Sequence, residues 1–299
     1  KLTVTLATIV VEFLERPGLA ASTRKTYEFA LRSLLQEYGS WSIEILSKQT
    51  LIEYLNSLGH LKYTTHHKHQ AILQSLLNFA VEKEYIKSNP ISGLKQRLPD
   101  REKGEHKTDD AIRYLTPQQL EKLYSVVKDD LRLNAIVNLL HRTGCRIGEL
   151  LALNIEDVDR ANSKFQVLGK GNKQRWCFYS SDAAVVLDNY IKYQRHNSGN
   201  ALFTAQHPVT LLVSRISYHT LHEYWRIITD KYTELHGVRI HDLRHTFATE
   251  RVGLISIEEL RALMGHSSIQ TTLRYQKVTS QKAESAARHA LNILSLPNN

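Results

Sequence analysis

The segment His-Asp-Leu-Arg-His-Thr-Phe-Ala-Thr at residues 241–249 constrains this chain more than any other feature. His241 and Arg244 are three positions apart, so they lie on one face of a helix and can converge on one anionic group. About 25 residues later comes a Gly-His pair at 265–266, and nine residues after that pair comes Tyr275. A tyrosine that follows this cationic pattern is interpreted as a nucleophile and not as a core aromatic residue.

Further positive charges lie upstream, where a helix start and a hairpin are predicted. Arg146 closely follows Gly144 and begins an apolar helical run. Residues 164–168 alternate in hydrophobicity like a strand, break at a glycine-rich turn and resume as a strand at 175–179. This pattern predicts a β-hairpin that carries Lys170 in its turn.

Six residues match, in order and approximate spacing, the catalytic set of the tyrosine recombinases: Arg146, Lys170, His241, Arg244, His266 and Tyr275. The chain therefore resembles this family, and within it the short bacterial Xer-type and phage-integrase-type members. The likeness covers roughly residues 115–278 by motif and the N-terminal part by architecture. One departure is that the stretch from Thr249 to Gly265 is about one residue shorter than the Xer pattern.

Each of these residues also has a structural interpretation when it is considered alone. A histidine after glycine is usually a helix cap or a core hydrogen-bonding group, and a single tyrosine is usually structural. Lys170, in a Gly-Lys-Gly-Asn turn, is typical of a solvated turn. The joint occurrence of all six residues in order favours the catalytic interpretation.

Cleaving a phosphodiester without hydrolysis requires a protein nucleophile, a positive clamp for the non-bridging oxygens and a proton for the departing 5′ oxygen. Arg146 and Arg244 fit the clamp, because a guanidinium binds two phosphate oxygens at once and stays charged. An arginine in this role contributes on the order of 10³ to 10⁵ in rate. The Tyr275 hydroxyl, with an ordinary pKa of about 10, needs a base and positive charge nearby.

The remaining residues divide the proton transfers and phosphate contacts. His241 is placed to exchange a proton with the tyrosine or to orient the phosphate, because histidine titrates near neutral pH. Lys170 is predicted to protonate the 5′ leaving group, and His266 to donate a hydrogen bond to a non-bridging oxygen. Glu149, three residues after Arg146, is interpreted as orienting an arginine or the hairpin. No cofactor is expected: the phosphotyrosine retains the bond energy, so neither metal nor ATP is required.

Composition agrees with a DNA partner. The 299 residues, of which 42% are hydrophobic, suffice for two domains, and the formal net charge of +9 suits a polyanion. Two cysteines argue against a disulfide framework and favour a reducing cytoplasm. No run of 18 apolar residues and no signal-peptide pattern occurs, so a cytoplasmic location without a membrane partner is expected.

The first hundred residues predict a helical bundle without strands. The predicted helices cover about residues 2–15, a second segment capped by Ser22 or Thr23, about 47–57 and about 64–84. Residues 98–110 are polar, charged and aperiodic, which is typical of a linker. The predicted domains are 1–97, a helical DNA-binding bundle, and 114–299, a mainly α catalytic domain with a small β-hairpin, joined by linker 98–113. The resemblance implies that the two domains close on a duplex as a C-shaped clamp.

Several polar and basic residues are candidates for DNA-backbone contact, which positions a protein without specifying sequence. The candidates are Thr23, Arg24, Lys25, Thr26, His66, His67, Lys68, His69, Lys173 and Arg175. For the histidine cluster, zinc is least favoured because adjacent helical positions point in different directions. A solvated surface and a DNA contact both stay open. His241 and His245 have the spacing of a metalloenzyme helix, but the glutamate of the His-Glu-x-x-His pattern is absent.

Beyond Tyr275, residues 280–294 predict a short amphipathic helix. Its apolar stripe consists of Ala283, Ala286, Ala287, Ala290, Leu291 and Leu294. The helix either covers its own domain or exchanges with a neighbouring subunit. The resemblance favours exchange, which would join protomers head to tail into a tetramer on DNA. In solution, without DNA, the chain is expected to be a monomer.

The predicted function is site-specific DNA recombination on double-stranded DNA with paired sites, through a 3′-phosphotyrosyl intermediate and a Holliday junction. Two alternatives are a type IB topoisomerase, which shares the chemistry without pairing sites, and a catalytically idle DNA-binding protein of the same fold. Phage integration, transposition and the resolution of plasmid or chromosome dimers all fit, with or without an accessory protein or a second recombinase.

Overall fold

The computed structural model describes residues 4–105, 112–169, 172–276 and 280–294, with side chains from residue 284 onward in the last range. The chain divides into two units, Lys1–Asp110 and Ala111–Asn299, and each has its own buried hydrophobic core. The division falls inside the segment predicted as the linker. The predicted mainly helical class with a small antiparallel sheet is confirmed.

Four α-helices form the part of the first unit that the structure describes, residues 4–105. They are α1 (Leu6–Glu15), α2 (Ala21–Tyr38), α3 (Lys48–Ser57) and α4 (Tyr63–Glu82). Their apolar faces meet in one core around Phe13, whose ring stacks on Tyr27 at a centroid distance of 5.3 Å. A bundle of this kind is held by burial of these faces more than by helix propensity.

Two predicted helix starts in this unit are wrong. The first helix begins at Leu6, because the Thr5 hydroxyl accepts the Thr8 N–H at 3.3 Å and caps the helix there. The second begins at Ala21, with extended Ala20 before it, so Ser22 and Thr23 already lie inside the first turn and neither caps it. The third helix begins after Ser47, as predicted.

The first residues of the segment predicted as the linker make contacts with the first unit. The Glu105 carboxylate accepts the backbone N–H of Tyr63 at 2.8 Å and that of Asp100 at 2.9 Å, and it pairs with Arg97 at 2.8 Å. These contacts hold residues 98–105 against the first unit. A polar and aperiodic sequence indicated a tether because a long-range contact of one carboxylate leaves no local pattern.

The second unit is helical with two small sheets. Its helices are α5 (Pro117–Val127), α6 (Leu131–Thr143), α7 (Ile147–Ala152), α8 (Ser181–Tyr193), α9 (Tyr218–Lys231), α10 (Asp242–Arg251), α11 (Ile257–Met264), α12 (Ile269–Leu273) and α13 (Ser280–Leu294). Its strands are β1 (Val158–Asp159), β2 (Lys164–Leu168), β3 (Gln174–Phe178), β4 (Thr204–Gln206) and β5 (Val213–Arg215). β1, β2 and β3 form one antiparallel sheet, and β4 and β5 form the other.

The predicted hairpin is confirmed in β2 and β3, which pair from Lys164 opposite Phe178 to Leu168 opposite Gln174. Phe165, Val167 and Cys177 are buried on its inner face, in keeping with the two-residue period of a strand. The turn residue Lys170 lies outside the described residues.

Helix α6 lies at the centre of the second unit, and α8 and α10 pack against it. It ends at Gly144, whose positive φ of 63° is the left-handed cap that glycine adopts without strain. The Phe247 ring of α10 occupies the space where a Cβ of residue 144 would lie. Glycine at this position therefore lets α10 approach the end of α6.

The stretch from Thr249 to Gly265, which is about one residue shorter than the Xer pattern, contains the end of α10, a turn and α11. α10 ends at Arg251, and a tight turn leads to Ser256, whose hydroxyl accepts the Glu259 N–H at 3.1 Å in a capping box. α11 then ends at Gly265, which has a φ of 62°. Within the described ranges, no helix is long and apolar enough to cross a membrane.

We expect Gly144→Ala to lower the free energy of unfolding by about 2 kcal/mol or more, because the new methyl group meets the Phe247 ring and the backbone is left-handed. Gly148→Ala is the matched control. A Cβ at Gly148 in α7 has open space around it, and alanine is the better helix former by up to about 1 kcal/mol. Urea unfolding measures both changes, and equal effects would contradict the close approach at Gly144.

Candidate active site

The site begins at the short loop between α6 and α7. Arg146 is the residue before α7, and the carboxylate of Glu149 accepts its backbone N–H at 2.8 Å and its guanidinium at 2.9 Å. This arrangement is half of a capping box, because the Glu149 side chain accepts the N–H of the residue before the helix but a guanidinium has no acceptor with which to return the bond. The local sequence thus fixes the Arg146 side chain at the start of a helix.

Glu149 also binds a second arginine from the hairpin. Arg175 on β3 donates two hydrogen bonds to the Glu149 carboxylate, at 2.9 and 2.6 Å. Burial alone would raise the pKa of Glu149, but the hydrogen bonds from Arg175 and Arg146 outweigh it and lower that pKa. The interpretation that Glu149 orients an arginine is confirmed, and it orients two.

The side chain of Arg175 is only 12% exposed. It is turned into the domain, so its position does not fit the predicted contact with DNA. Lys173 lies two residues earlier, just before β3. It is exposed and remains a candidate for contact with DNA.

The third arginine, Arg244 on α10, is 3% exposed. Its guanidinium donates to the carbonyl oxygen of Gly144 and, at 2.6 Å, to that of Met264. Burial, followed by the positive charge of Arg146, lowers the pKa of Arg244 to about 10. This arginine stays charged at neutral pH.

The three-arginine cluster, Arg146, Arg175 and Arg244, closes the C-terminal end of α11. Arg175 donates to the carbonyl of Leu263 at 3.1 Å, Arg244 to that of Met264, and Arg146 to that of Gly265 at 3.3 Å. The last carbonyls of a helix lack partners within it and carry partial negative charge, so cations are stabilised there. One helix end therefore gathers the positive charges of three separate segments.

Tyr275 lies eleven residues beyond the end of α11, just after α12. Its backbone N–H donates to the Thr272 carbonyl at 3.0 Å, and the Thr272 hydroxyl is hydrogen-bonded to His266 Nδ1 at 2.9 Å. The Tyr275 hydroxyl is 2.6 Å from His245 Nδ1. His241 packs edge-on against His245, with ring centroids 4.7 Å apart.

These side chains surround one open cavity of about 240 Å³. Its lining consists of Ile112, Arg146, His241, Arg244, His245, His266, Thr271, Arg274 and Tyr275. Five of the six residues predicted as catalytic are thus brought together, and the sixth, Lys170, lies outside the described residues. The cavity has the residue types needed to hold a phosphate beside a tyrosine.

Burial is the main influence on the titrating groups of the cavity. Burial, then the charges of Arg244 and Arg146, lowers the pKa of His266 to about 4. Burial, then its neighbour His241, lowers the pKa of His245 to about 4, and burial raises the pKa of Tyr275. All of these groups are therefore neutral at pH 7 in the DNA-free protein, while the arginines are charged.

The candidate DNA contacts of the first unit separate into two groups. Lys25 and Thr26 of α2 line an open groove of about 290 Å³ together with Lys68 and His69 of α4. Arg24 is exposed beside it, and Thr23 is half-buried. This group fits a contact with the DNA backbone.

The other two histidines face the protein. His66 is 5% exposed and its Nε2 donates to the Leu55 carbonyl at 2.8 Å, so its position in this structure does not fit the predicted contact with DNA. The half-buried His67 donates to the Arg97 carbonyl at 2.7 Å. Among the described side chains, no three metal-ligating groups come together in a way that could hold a metal ion.

Sequence reasoning missed the place of His245 in the site. It follows Arg244 directly and lies four residues after His241, which was the available signal. That spacing was considered only as a metal-ligand pattern. The contact with Tyr275 joins residues 30 positions apart, and only the packing of α10 against the end of α12 reveals it.

Comparisons with known proteins agree with this geometry. The sequence model of the Phage integrase family matches residues 113–282. The chain is 29% identical over 282 residues to a tyrosine recombinase XerC from Herpetosiphon aurantiacus, covering 89% of this chain and 88% of the relative. It is 26% identical over 286 residues to a tyrosine recombinase XerD from Haemophilus influenzae, covering 91% and 92%.

The fold is similar to that of the Tn1549 transposon integrase, solved in complex with a circular intermediate DNA. The two structures superpose with a TM-score of 0.76 at 21% sequence identity, covering 96% of this chain and 99% of the other. At this identity the likeness supports the fold alone.

We expect Glu149→Gln to lower the free energy of unfolding by about 3 kcal/mol at pH 7, because it leaves the Arg175 guanidinium without its buried counter-charge. Glu223→Gln is the control. Glu223 also pairs with an arginine three residues away, but both side chains are exposed, so the change should be below about 1 kcal/mol.

The pH dependence of this difference gives a second check. The lowered pKa of Glu149 means that its contribution is present above the ordinary carboxyl pKa of about 4.3 and is lost as pH falls through the folded-state value. The free energies of urea unfolding of the wild-type protein and of Glu149→Gln should therefore differ most near neutral pH and converge under acid conditions. A difference independent of pH would contradict the assigned ion pair.

Proposed function

The chain belongs to the phage integrase family, and from this premise we propose that it is a site-specific DNA recombinase that uses Tyr275 as its nucleophile. Tyr275 attacks a phosphodiester, forms a 3′-phosphotyrosyl bond and frees a 5′ hydroxyl. A second exchange through a Holliday junction completes recombination. The observation that carries the proposal is the Tyr275 hydroxyl in a cavity lined by Arg146, Arg244 and His266.

The two arginines hold the phosphate and stabilise the negative charge that develops on its non-bridging oxygens. Each guanidinium has five N–H groups, so those not bound to carbonyls or to Glu149 are available to phosphate oxygens. Because the carbonyls of Gly144, Met264 and Gly265 already fix both side chains, little reorganisation is needed when DNA binds.

His266 supplies one further hydrogen bond to the phosphate. A neutral imidazole has one donor and one acceptor nitrogen. His266 Nδ1 lies 2.9 Å from the Thr272 hydroxyl. We assign the hydroxyl as the donor of this bond, so that Nε2 carries the hydrogen and can donate to a non-bridging oxygen. Lys170, from the hairpin turn, protonates the departing 5′ oxygen.

The DNA partner is double-stranded and carries paired recombination sites. The groove lined by Lys25, Thr26, Lys68 and His69 contacts its phosphate backbone. Because the substrate is intracellular DNA and both cysteines are free thiols, we place the protein in the cytoplasm.

The C-terminal helix supports assembly into a tetramer over action as a single topoisomerase-like subunit. In α13, every described side chain from residue 284 onward is exposed, including Leu291 at 63% and Leu294 at 80%. This exposure supports exchange with a neighbouring subunit over the alternative in which the helix covers its own domain. An apolar stripe of this kind fits a groove on a neighbouring subunit.

Replacing Tyr275 with Phe removes one oxygen and leaves the ring, so DNA binding should persist while the covalent protein–DNA adduct disappears. The substrate is a nicked duplex carrying the site that footprinting identifies in DNA flanking the protein's own gene. The control is Tyr193→Phe. Tyr193 is an exposed tyrosine at the end of α8, outside the cavity, so this variant should form the adduct at the wild-type rate. An adduct from the Tyr275 variant on a denaturing gel would refute the nucleophile assignment.

Leu291→Asp should weaken cooperative binding to a two-site duplex at least tenfold, because a charge on the apolar stripe of α13 opposes docking into a neighbour. Single-site affinity and the melting temperature of the free protein should not change, since Leu291 is already exposed. His289→Asp adds the same charge on the opposite side of the helix and should leave all three properties intact. Unchanged two-site cooperativity in band-shift titrations of the Leu291 variant would exclude the exchange.

A further inference from the structure

The hydroxyl of Tyr275 touches a histidine that the catalytic pattern of the sequence does not include. Its oxygen lies 2.6 Å from Nδ1 of His245, and the two rings are tilted with centroids 5.7 Å apart. This distance is within the range required between a general base and the atom whose proton it removes. His245 therefore contacts a reacting atom directly.

Attack by Tyr275 requires its hydroxyl proton to leave. A phenol with a pKa of about 10 is almost wholly protonated at pH 7, and burial raises the pKa of Tyr275 further. The proton must pass to a group in contact with the oxygen, and His245 Nδ1 occupies that position. His241 packs edge-on against the His245 ring and lines the same cavity, which suits it to orient the phosphate.

The surroundings of His245 make proton uptake depend on DNA. The charged and titrating groups that act on it are His241, Asp242, Arg239, Arg244, Tyr275 and His266. Burial and the positive neighbours lower the pKa of His245 to about 4, so the proton rests on Tyr275 while the cavity is empty of DNA. A phosphate anion entering beside Arg146 and Arg244 favours the protonated imidazole and so raises the pKa of His245.

We propose that His245 is the general base for Tyr275, an inference that rests on the proposed function. As the tyrosine O–H bond breaks, an N–H bond forms at His245 Nδ1 and the phenolate oxygen bonds to phosphorus. The bond from phosphorus to the 5′ oxygen breaks, and that oxygen takes its proton from a separate acid, Lys170. In the rejoining step the imidazolium returns its proton to the departing Tyr275 oxygen.

The test isolates activation of the nucleophile. The duplex found by footprinting is made with sulfur at the bridging 5′ position of the scissile phosphate, so that the leaving group needs no proton. Single-turnover adduct formation is then measured for wild type, His245→Asn and His241→Asn. Asparagine can keep a hydrogen bond to the tyrosine at position 245 but cannot take up a proton.

With His245→Asn we expect adduct formation about 10²- to 10⁴-fold slower near pH 7. Its rate should climb roughly tenfold per pH unit toward the pKa of the tyrosine, because only pre-formed phenolate reacts. Adduct formation by His241→Asn should also be slower than in wild type, but its rate should not rise tenfold per pH unit. A His245→Asn rate equal to wild type, or a deficit that stays constant with pH, would show a positioning role only and overturn the proposal.

Ring-fluorinated tyrosine at position 275 provides a rescue, because fluorination lowers the pKa of the phenol. It should restore most of the His245→Asn deficit and little of the His241→Asn deficit. Equal rescue of both variants would contradict the assignment.

A measurement on the wild-type protein does not depend on any variant folding. In histidine labelled with ¹⁵N, the Nδ1 of His245 in the DNA-free protein should show the shift of an unprotonated acceptor nitrogen. A protonated Nδ1 would donate to the tyrosine oxygen and could not act as its base, which would overturn the inference.

Failure of the proposed function gives a different result. If wild type forms no adduct, or if Tyr275→Phe forms one, the function itself is wrong. If the adduct forms and depends on Tyr275 but the His245 tests fail, only the role of His245 is wrong.

Discussion

The active site depends on the C-terminal end of one short helix, α11. Three successive carbonyls, of Leu263, Met264 and Gly265, each accept a hydrogen bond from a different arginine. Those arginines come from β3, from α10 and from the loop before α7, so one helix end joins three distant segments. A Cβ on Gly265 would lie 2.7 Å from the Arg175 guanidinium, which explains why the helix ends in glycine there.

The same arrangement creates an anion site. Arg146 and Arg175 both pair with one buried carboxylate, Glu149, and Arg244 adds a third positive charge beside them, so the cluster keeps excess positive charge. The partial negative charge of the helix end and the carboxylate together make this excess tolerable in a protein interior. In the proposed function a phosphate of the DNA would supply the missing negative charge, so binding would balance the charge of this cluster as well as place the substrate.

Sequence patterns predicted the parts of this site that are local. The hairpin strands, the helix beginning at Arg146 and the convergence of His241 and Arg244 follow from hydrophobic period, glycine positions and helical spacing. The pairing of Arg175 with Glu149 and of His245 with Tyr275 joins residues 26 and 30 positions apart, and such pairs leave no periodic signal. The strands β1, β4 and β5 were missed for a related reason, since two or three residues are too few to show alternation.

The proposed nucleophile is held by a small cluster of four buried residues, Phe247, Ala248, Leu260 and Met264. Tyr275 follows a helix of five residues and precedes α13, whose described side chains from residue 284 onward are exposed. Its backbone is held through Thr272, whose hydroxyl binds His266, and its own hydroxyl is held by His245. This small cluster is separate from the main core of the domain, so a neighbour that bound α13 would act on Tyr275 through a lightly packed part of the fold. The arginines are held by backbone carbonyls and Glu149, whereas the proposed exchange of α13 would act on the position of the tyrosine.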